Sequence, residues 1–190
     1  MEKFAKLVEG WKTLQNGLPY KWVVDYAAYS AFGTFELSDA EWANRDYIVN
    51  FKGNSELTTE ADHQAALQKA IRDVSALVAD TFGADARQLT FVCIPASLQS
   101  NTQRRFECFG QEVCQACGME NAYAHFIYGE EGTDYTIDEA FFDGKQVLLF
   151  DDIIASGQSV CRFADRLSAL GAHVVAAVAL GKKISDGYNK

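Results

Sequence analysis

Val147-Leu148-Leu149-Phe150-Asp151-Asp152-Ile153-Ile154-Ala155-Ser156-Gly157-Gln158-Ser159 is the stretch whose reading decides the fold. Its four leading apolar residues, with Gly144 upstream, read as a short strand buried on both faces, as in a parallel sheet. Two adjacent carboxylates stand where that strand is expected to end. A loop of small residues follows, and Val160, Phe163, Leu167 and Leu170 then mark a helix face. Strand, acid pair, small loop and helix together outline a phosphate site. The amides of Ala155, Ser156, Gly157, Gln158 and Ser159 can point at an anion from the loop and the first helical turn. The hydroxyls of Ser156 and Ser159 add donors, and Gly157 lets the backbone approach closely or take positive φ. In open α/β sheets, ligands bind outside the carboxyl ends of the strands, where this loop falls.

Working outward, strands and helices alternate from residue 58 onward, so parallel βαβ units are expected. Thr58 or Thr59 caps a helix whose buried stripe is Leu67, Ile71, Val74, Leu77 and Val78, closed by Gly83. Gln88 to Ile94 reads as a buried strand interrupted by Pro95-Ala96-Ser97. Gln103 to Cys117 reads as a helix ended by Gly118, and Ala122 to Tyr128 as a strand. Gly129 to Gly144 reads as a long acidic connection. His173 to Leu180 is a last buried strand, and Gly181 to Lys190 a polar, basic tail. Upstream, Phe4, Leu7, Val8, Trp11 and Leu14 predict an opening helix that ends near Asn16-Gly17. Tyr20 to Phe35 reads as extended, and Ser38 with Glu41 resembles a capping box. Asp46 to Phe51 fits strand or helix equally, and Lys52-Gly53-Asn54 is a turn. The expectation is a single domain over 1–190. Residues 1–55 form a flank or hood, 56–183 the α/β core and 184–190 a tail.

The chain has 190 residues, 48% of them apolar, enough for a substantial core. No stretch approaches the roughly 18 uninterrupted apolar residues of a membrane helix. Met1-Glu2-Lys3 leads into an amphipathic pattern without a signal-peptide core, so a cytoplasmic location is expected. A net charge of −9 disfavours non-specific nucleic-acid binding, which needs cations to neutralise phosphates. Five cysteines, an odd count, argue for free thiols. Cys114 and Cys117 form a C-x-x-C, but no second pair completes a zinc site.

The run from Val147 to Ser159 resembles the PRPP-binding signature of type I phosphoribosyltransferases: four apolar residues, two acids, two apolar residues, then a small-residue turn with glycine. The wider likeness, over about residues 88 to 183, is closest to the ComF-like branch of that family. Phe91-Val92-Cys93-Ile94-Pro95-Ala96-Ser97 resembles its strand and proline turn, and Arg104-Arg105-Phe106 its arginine-rich helix entry. Asn50-Phe51-Lys52-Gly53 is similar, more weakly, to its short Lys-x-x-Gly element. The zinc-binding cysteines often found before the domain in that branch are absent. The fold implied is a mostly parallel phosphoribosyltransferase type I-like sheet flanked by helices, with an N-terminal hood.

The resemblance implies transfer of the phosphoribosyl group of PRPP to a nitrogen nucleophile, with release of pyrophosphate. Ala155, Ser156, Gly157, Gln158 and Ser159 would bind the 5′-phosphate. Asp151 and Asp152 would be the catalytic carboxylates, accepting from the ribose hydroxyls and stabilising positive charge at C1. Pro95, Ala96 and Ser97 would hold pyrophosphate with Arg104 and Arg105. Mg²⁺ would be held mainly by substrate oxygens, with Asp151 or Asp152 as the protein's contribution. Dimers are common in this fold, so a homodimer is expected from the resemblance. The connection from Gly129 to Asp143 departs from the family pattern: it carries Glu130, Glu131, Asp134, Asp138, Glu139 and Asp143 but no Lys or Arg. That favours two alternatives, a non-catalytic PRPP- or nucleotide-binding sensor and a ComF-like accessory protein. A role in DNA handling rests on analogy alone.

Overall fold

The computed structural model describes residues 2–27 and 37–184. In chain order its first half comprises α1 (Glu2–Leu7), β1 (Lys12–Thr13), β2 (Pro19–Tyr26), α2 (Asp39–Lys52), α3 (Glu60–Phe82), β3 (Leu89–Cys93) and α4 (Gln99–Cys117). The second half comprises β4 (Glu120–Asn121), β5 (Phe126–Tyr128), β6 (Tyr135–Ile137), α5 (Glu139–Phe142), β7 (Gln146–Ile154), α6 (Gln158–Ala169) and β8 (His173–Lys183). A six-stranded sheet has the order β1-β2-β8-β7-β3-β4, and only the β1–β2 pair is antiparallel. This is the mostly parallel α/β architecture expected from the alternation of elements.

Side-chain alternation along β7 sets the layers. Leu148 and Phe150 face α2, α3 and α4, while Val147 and Leu149 face α6 and the β5–β6 hairpin. The first face carries an aromatic cluster in which Phe51, Phe91, Phe106, Phe109 and Phe150 are all buried. Phe109 and Phe150 lie closest, at 4.5 Å between ring centroids.

Several local expectations differ from what forms. The opening helix stops at Leu7, because Gly10 turns at φ 82° and Trp11 donates back to the Val8 carbonyl. Trp11 and Leu14 therefore pack from a connection, not from a helix. Asp46 to Phe51 is helical, inside α2. The flank read over 1–55 supplies β2, which pairs with β8 inside the sheet. The strand expected at Ala122–Tyr128 is broken: Asn121 Oδ1 accepts the Tyr123 amide and starts a 3-10 turn over Tyr123–His125. Among the described residues Phe126–Tyr128 then pairs only with Tyr135–Ile137, so the acidic connection is a hairpin followed by α5. β7 runs three residues past Asp151, and α4 begins four residues before Gln103. Of the expected extended stretch Tyr20 to Phe35, residues 28–35 lie outside the described residues, as do 185–190 of the tail. Among the described residues no helix is long and apolar enough to cross a membrane.

The capping box forms as expected: Ser38 Oγ accepts from the Glu41 amide and Glu41 returns a carboxylate to the Ser38 amide. Thr59 caps α3 through the Asp62 amide. The aromatic cluster generates the first prediction. Phe109→Ala removes a fully buried ring between Phe51, Phe91 and Phe150. Urea denaturation should show a loss of about 3–5 kcal/mol; a loss under about 1 kcal/mol would show that the cluster does not carry the core.

Candidate functional site

Asp151 and Asp152 lie near the carboxyl end of β7, within the central strands of the sheet. Asp151 pairs in register with Ala179 of β8, and Cys93 of β3 pairs with Phe150. The turn that leaves β3 and the loop that leaves β7 therefore emerge side by side. Consecutive strand residues face opposite ways, so the two acids meet different surroundings.

Asp152 follows Phe150 onto the face of α2 and α4 and is buried. Arg105 Nη1 donates to its Oδ2 at 2.9 Å. Lys52 Nζ lies 3.3 Å from its Oδ1. Arg105 is itself buried and also reaches the Lys52 carbonyl through Nε, at 3.4 Å. Asp151 has a carboxyl oxygen that accepts the Asp152 amide at 2.9 Å. Burial first, then the neighbouring Asp152 charge, pushes the Asp151 carboxyl up from its ordinary 3.8 to about 7.

The loop Ala155–Gly157 opens α6. Gly157 is its N-cap at φ 82°, and no side chain caps the helix. The backbone of Gly157 also sits against the β1–β2 connection: a Cβ there would stand 2.6 Å from Leu14 Cδ2. Bulk at this position therefore strains the backbone and collides with Leu14 before it meets any ligand. Ser156 and Ser159 are exposed, and Ser156 Oγ accepts the Gln158 amide at a long 3.4 Å. Lys182 of β8 donates to the Ala155 carbonyl at 2.6 Å, fixing the far side of the loop. Its ammonium is held below the ordinary lysine range by burial and by the nearby Lys12 charge.

The turn expected to hold pyrophosphate leaves β3 as Ile94 to Leu98. Thr102 Oγ1 accepts the Ala96 amide at 2.8 Å, and Tyr128 donates to the Ala96 carbonyl at 3.3 Å. Pro95 and Ala96 are half-buried and Ser97 is exposed. α4 also lacks a side-chain cap, and its Gln99 amide donates to Gly132 at the hairpin tip.

Both expected pyrophosphate arginines are engaged with protein. Arg104 Nε donates to the Gly53 carbonyl at 2.7 Å and Nη2 to Glu60 at 2.8 Å. Arg105 is spent on Asp152. Gly53 has to be glycine here: φ is 65°, and a Cβ would stand 2.6 Å from both Arg104 Nε and His63 Nδ1. Tyr128 and Tyr135 are engaged as well, Tyr128 with Thr102 and Tyr135 under Arg166 and against Phe126. His125 gains a partner that its sequence neighbours did not suggest, pairing with Asp138 at 2.9 Å and stacking on Phe141.

Sequence reasoning missed three contacts at the site: Lys182 on the loop, Lys52 on Asp152, and Leu14 on Gly157. The alternation of β8 and its register with β7 could have placed Lys182. Nothing local announces the other two. Among the described residues no group of three or more His, Cys, Asp and Glu side chains could hold a metal ion. The acid pair suits only a hard cation that takes most of its oxygens from substrate and water.

No protein-family model and no curated protein matches the chain. Among solved structures it is similar to a hypoxanthine-guanine-xanthine phosphoribosyltransferase, at 17% identity and a TM-score of 0.35. The match covers 61% of this chain and 60% of that one, so the chain spans less than two thirds of the enzyme's length. A likeness at that level says nothing of substrate or activity.

Two predictions follow from the acid pair. Removing one partner of a buried ion pair strands the other charge, so Arg105→Ala should cost about 3–5 kcal/mol. Combining Arg105→Met with Asp152→Leu should recover most of it; a double variant as unstable as the single would show that the pair is not the cause. Asp151 contributes a pH dependence. Its folded pKa of about 7 lies above the ordinary 3.8, so between these values the folded state binds more protons. Stability from this group is present at low pH and is lost as pH rises toward 7. Denaturation midpoints of the wild type minus those of Asp151→Asn should therefore rise as pH falls from 7 to 5. A flat difference would show an unshifted carboxyl.

Proposed function

We propose that this protein is a phosphoribosyltransferase-like enzyme. It binds PRPP and transfers the phosphoribosyl group to a nitrogen nucleophile, a nucleobase or a related compound, releasing pyrophosphate. The observation that carries this reading is the carboxyl end of β7, where two acids precede an uncapped, small-residue helix start. The first turn of α6 has no N-cap side chain, its Gln158 amide making only a long contact to Ser156 Oγ, and suits a 5′-phosphate, with Ala155, Ser156, Gly157, Gln158 and Ser159 forming the cup. Asp151 faces the ribose as hydrogen-bond acceptor, with Asp152 beside it holding a negative charge near C1. The turn of Pro95, Ala96 and Ser97 receives the pyrophosphate, and Arg104 and Arg105 act from behind it by fixing the end of α2 and Asp152.

When the acceptor attacks, the C1–oxygen bond to pyrophosphate breaks, the C1–nitrogen bond forms, and the proton of the nitrogen passes to the departing pyrophosphate or to water. Asp151 or Asp152 would be the protein's contact to a Mg²⁺ held mainly by substrate, and the cation would supply neutralisation of the pyrophosphate charge. The chain's own residues orient the sugar and fix the phosphate.

A second reading, PRPP or nucleotide binding without transfer, is favoured by one observation. The arginines expected to hold pyrophosphate, Arg104 and Arg105, and the loop-side Lys182 already donate to protein acceptors. The exposed Glu130, Glu131 and Asp134 also sit on the hairpin tip that meets the start of α4.

Titration calorimetry with PRPP and Mg²⁺ tests the shared premise; no heat at millimolar ligand would remove both readings. Pyrophosphate release across a nucleobase panel then separates them. Asp151→Asn is the informative active-site variant, since it leaves the Asp152–Arg105 pair intact. The enzyme reading expects it to bind PRPP but lose at least about tenfold in transfer rate, the size of one charge-assisted contact.

A further inference from the structure

The site needs a cation for a diphosphate, and the arginines that the sequence offers are occupied. We infer that Lys52, at the last position of α2, is the residue that contacts the diphosphate of the ligand; this rests on the PRPP reading above. Four observations carry it.

The first is position. Lys52 Nζ lies 3.3 Å from Asp152 Oδ1, at the strand end that the turn of Pro95 to Ser97 also flanks. The second is availability. An ammonium has three donors, and the Asp152 contact is longer than the 2.9 Å of Arg105 to the same carboxylate. The Lys52 side chain is 29% exposed against 10% for Arg105, so it can turn toward solvent or ligand while Arg105 holds Asp152. The third is anchorage. Arg105 Nε holds the Lys52 carbonyl, Arg104 Nε holds the Gly53 carbonyl, and His63 Nδ1 contacts the Asn50 carbonyl. The base of Lys52 is thus pinned from α3 and α4, leaving a fixed stem with a mobile charge. The fourth is need. The Ala96 amide in the turn is already taken by Thr102, so the turn alone has fewer donors to offer a diphosphate.

In this arrangement the paired arginines are positioning residues for Lys52. The ligand's diphosphate replaces Asp152 as the partner of the ammonium, and Asp152 keeps Arg105. No bond is made or broken in the exchange; a flexible point charge moves between two anionic partners.

The test compares three probes by calorimetry, each with Mg²⁺: PRPP, inorganic pyrophosphate and ribose 5-phosphate. Wild type is set against Lys52→Met, which keeps the apolar stem, and Lys52→Arg, which keeps the charge. Lys52→Met should weaken pyrophosphate and PRPP by about tenfold or more, the scale of a charge-assisted hydrogen bond. It should leave ribose 5-phosphate within about twofold, and Lys52→Arg should restore part of the loss. Unchanged pyrophosphate binding in a folded Lys52→Met overturns the assignment while PRPP binding by the wild type keeps the wider reading. Equal losses for all three probes overturn it as well, since they would mean general damage to the site. A wild type that binds neither PRPP nor pyrophosphate removes the reading and the inference together.

Discussion

The carboxylate of Asp152 is the constraint around which this structure is arranged. A charge this far from water is costly unless it is paired and hydrogen-bonded. Arg105 meets it from α4 and Lys52 from the end of α2, so one buried anion ties two helices to the central strand. Arg105 and Arg104 then grip the carbonyls of Lys52 and Gly53, which orders the chain between α2 and α3. Beneath this polar knot lies the aromatic cluster around Phe150, two residues earlier on the same face of β7. The apolar cluster supplies the burial, and the ion pair fixes how α2 and α4 sit over the strand end. Such pairs add little net stability over an apolar substitute, so their presence at a strand terminus points to positioning.

Among the four longest helices, the open starts lie beside that constraint. α2 and α3 begin with side-chain caps, Ser38 and Thr59, that satisfy their own amides. α4 and α6 begin without one, and both follow strands that end beside Asp152. A helix start left uncapped keeps its donors for something else. For α4 part of that demand is met by the Gly132 carbonyl at the hairpin tip. For α6 the loop is shaped instead by Lys182 on the Ala155 carbonyl and by Leu14 under Gly157, and neither consumes the first-turn amides.

The elements that the sequence made legible are those in which local signal and tertiary need agree. The strand before Asp151, the capping box at Ser38 and the glycine stops at Gly83 and Gly118 all satisfy a local rule and a packing rule together. The failures have a common form. Phe4, Val8 and Leu14 do bury at helix-like spacing, yet Gly10 redirects the chain, and burial alone cannot tell a helix from a turn that packs the same side chains. The β5–β6 hairpin was hidden because its three-residue strands are too short to show alternation. At the site the loop was legible and its partners were not. Arg105 reads in the sequence as one of two arginines for pyrophosphate, and only the three-dimensional return of β7, 47 residues on, turns it to Asp152.

The net charge of −9 argues against polyanionic ligands only if it acts where the ligand would sit. At the strand end it does not. Asp152 is matched by Arg105 and Lys52, and burial together with the neighbouring Asp152 charge favours the neutral form of the Asp151 carboxyl. Two cations then face rather less than two anions, with Lys182 added on the loop side. Glu130, Glu131 and Asp134 are exposed on the hairpin, where water and salt screen them within roughly 8 Å at physiological ionic strength. Local surroundings thus change the balance that composition suggests: the acids at the strand end are paired with cations or biased toward the neutral form, and those on the hairpin are wet. A phosphate approaching the α6 amides meets a field set by the first group, so an acidic protein can still offer an anion site.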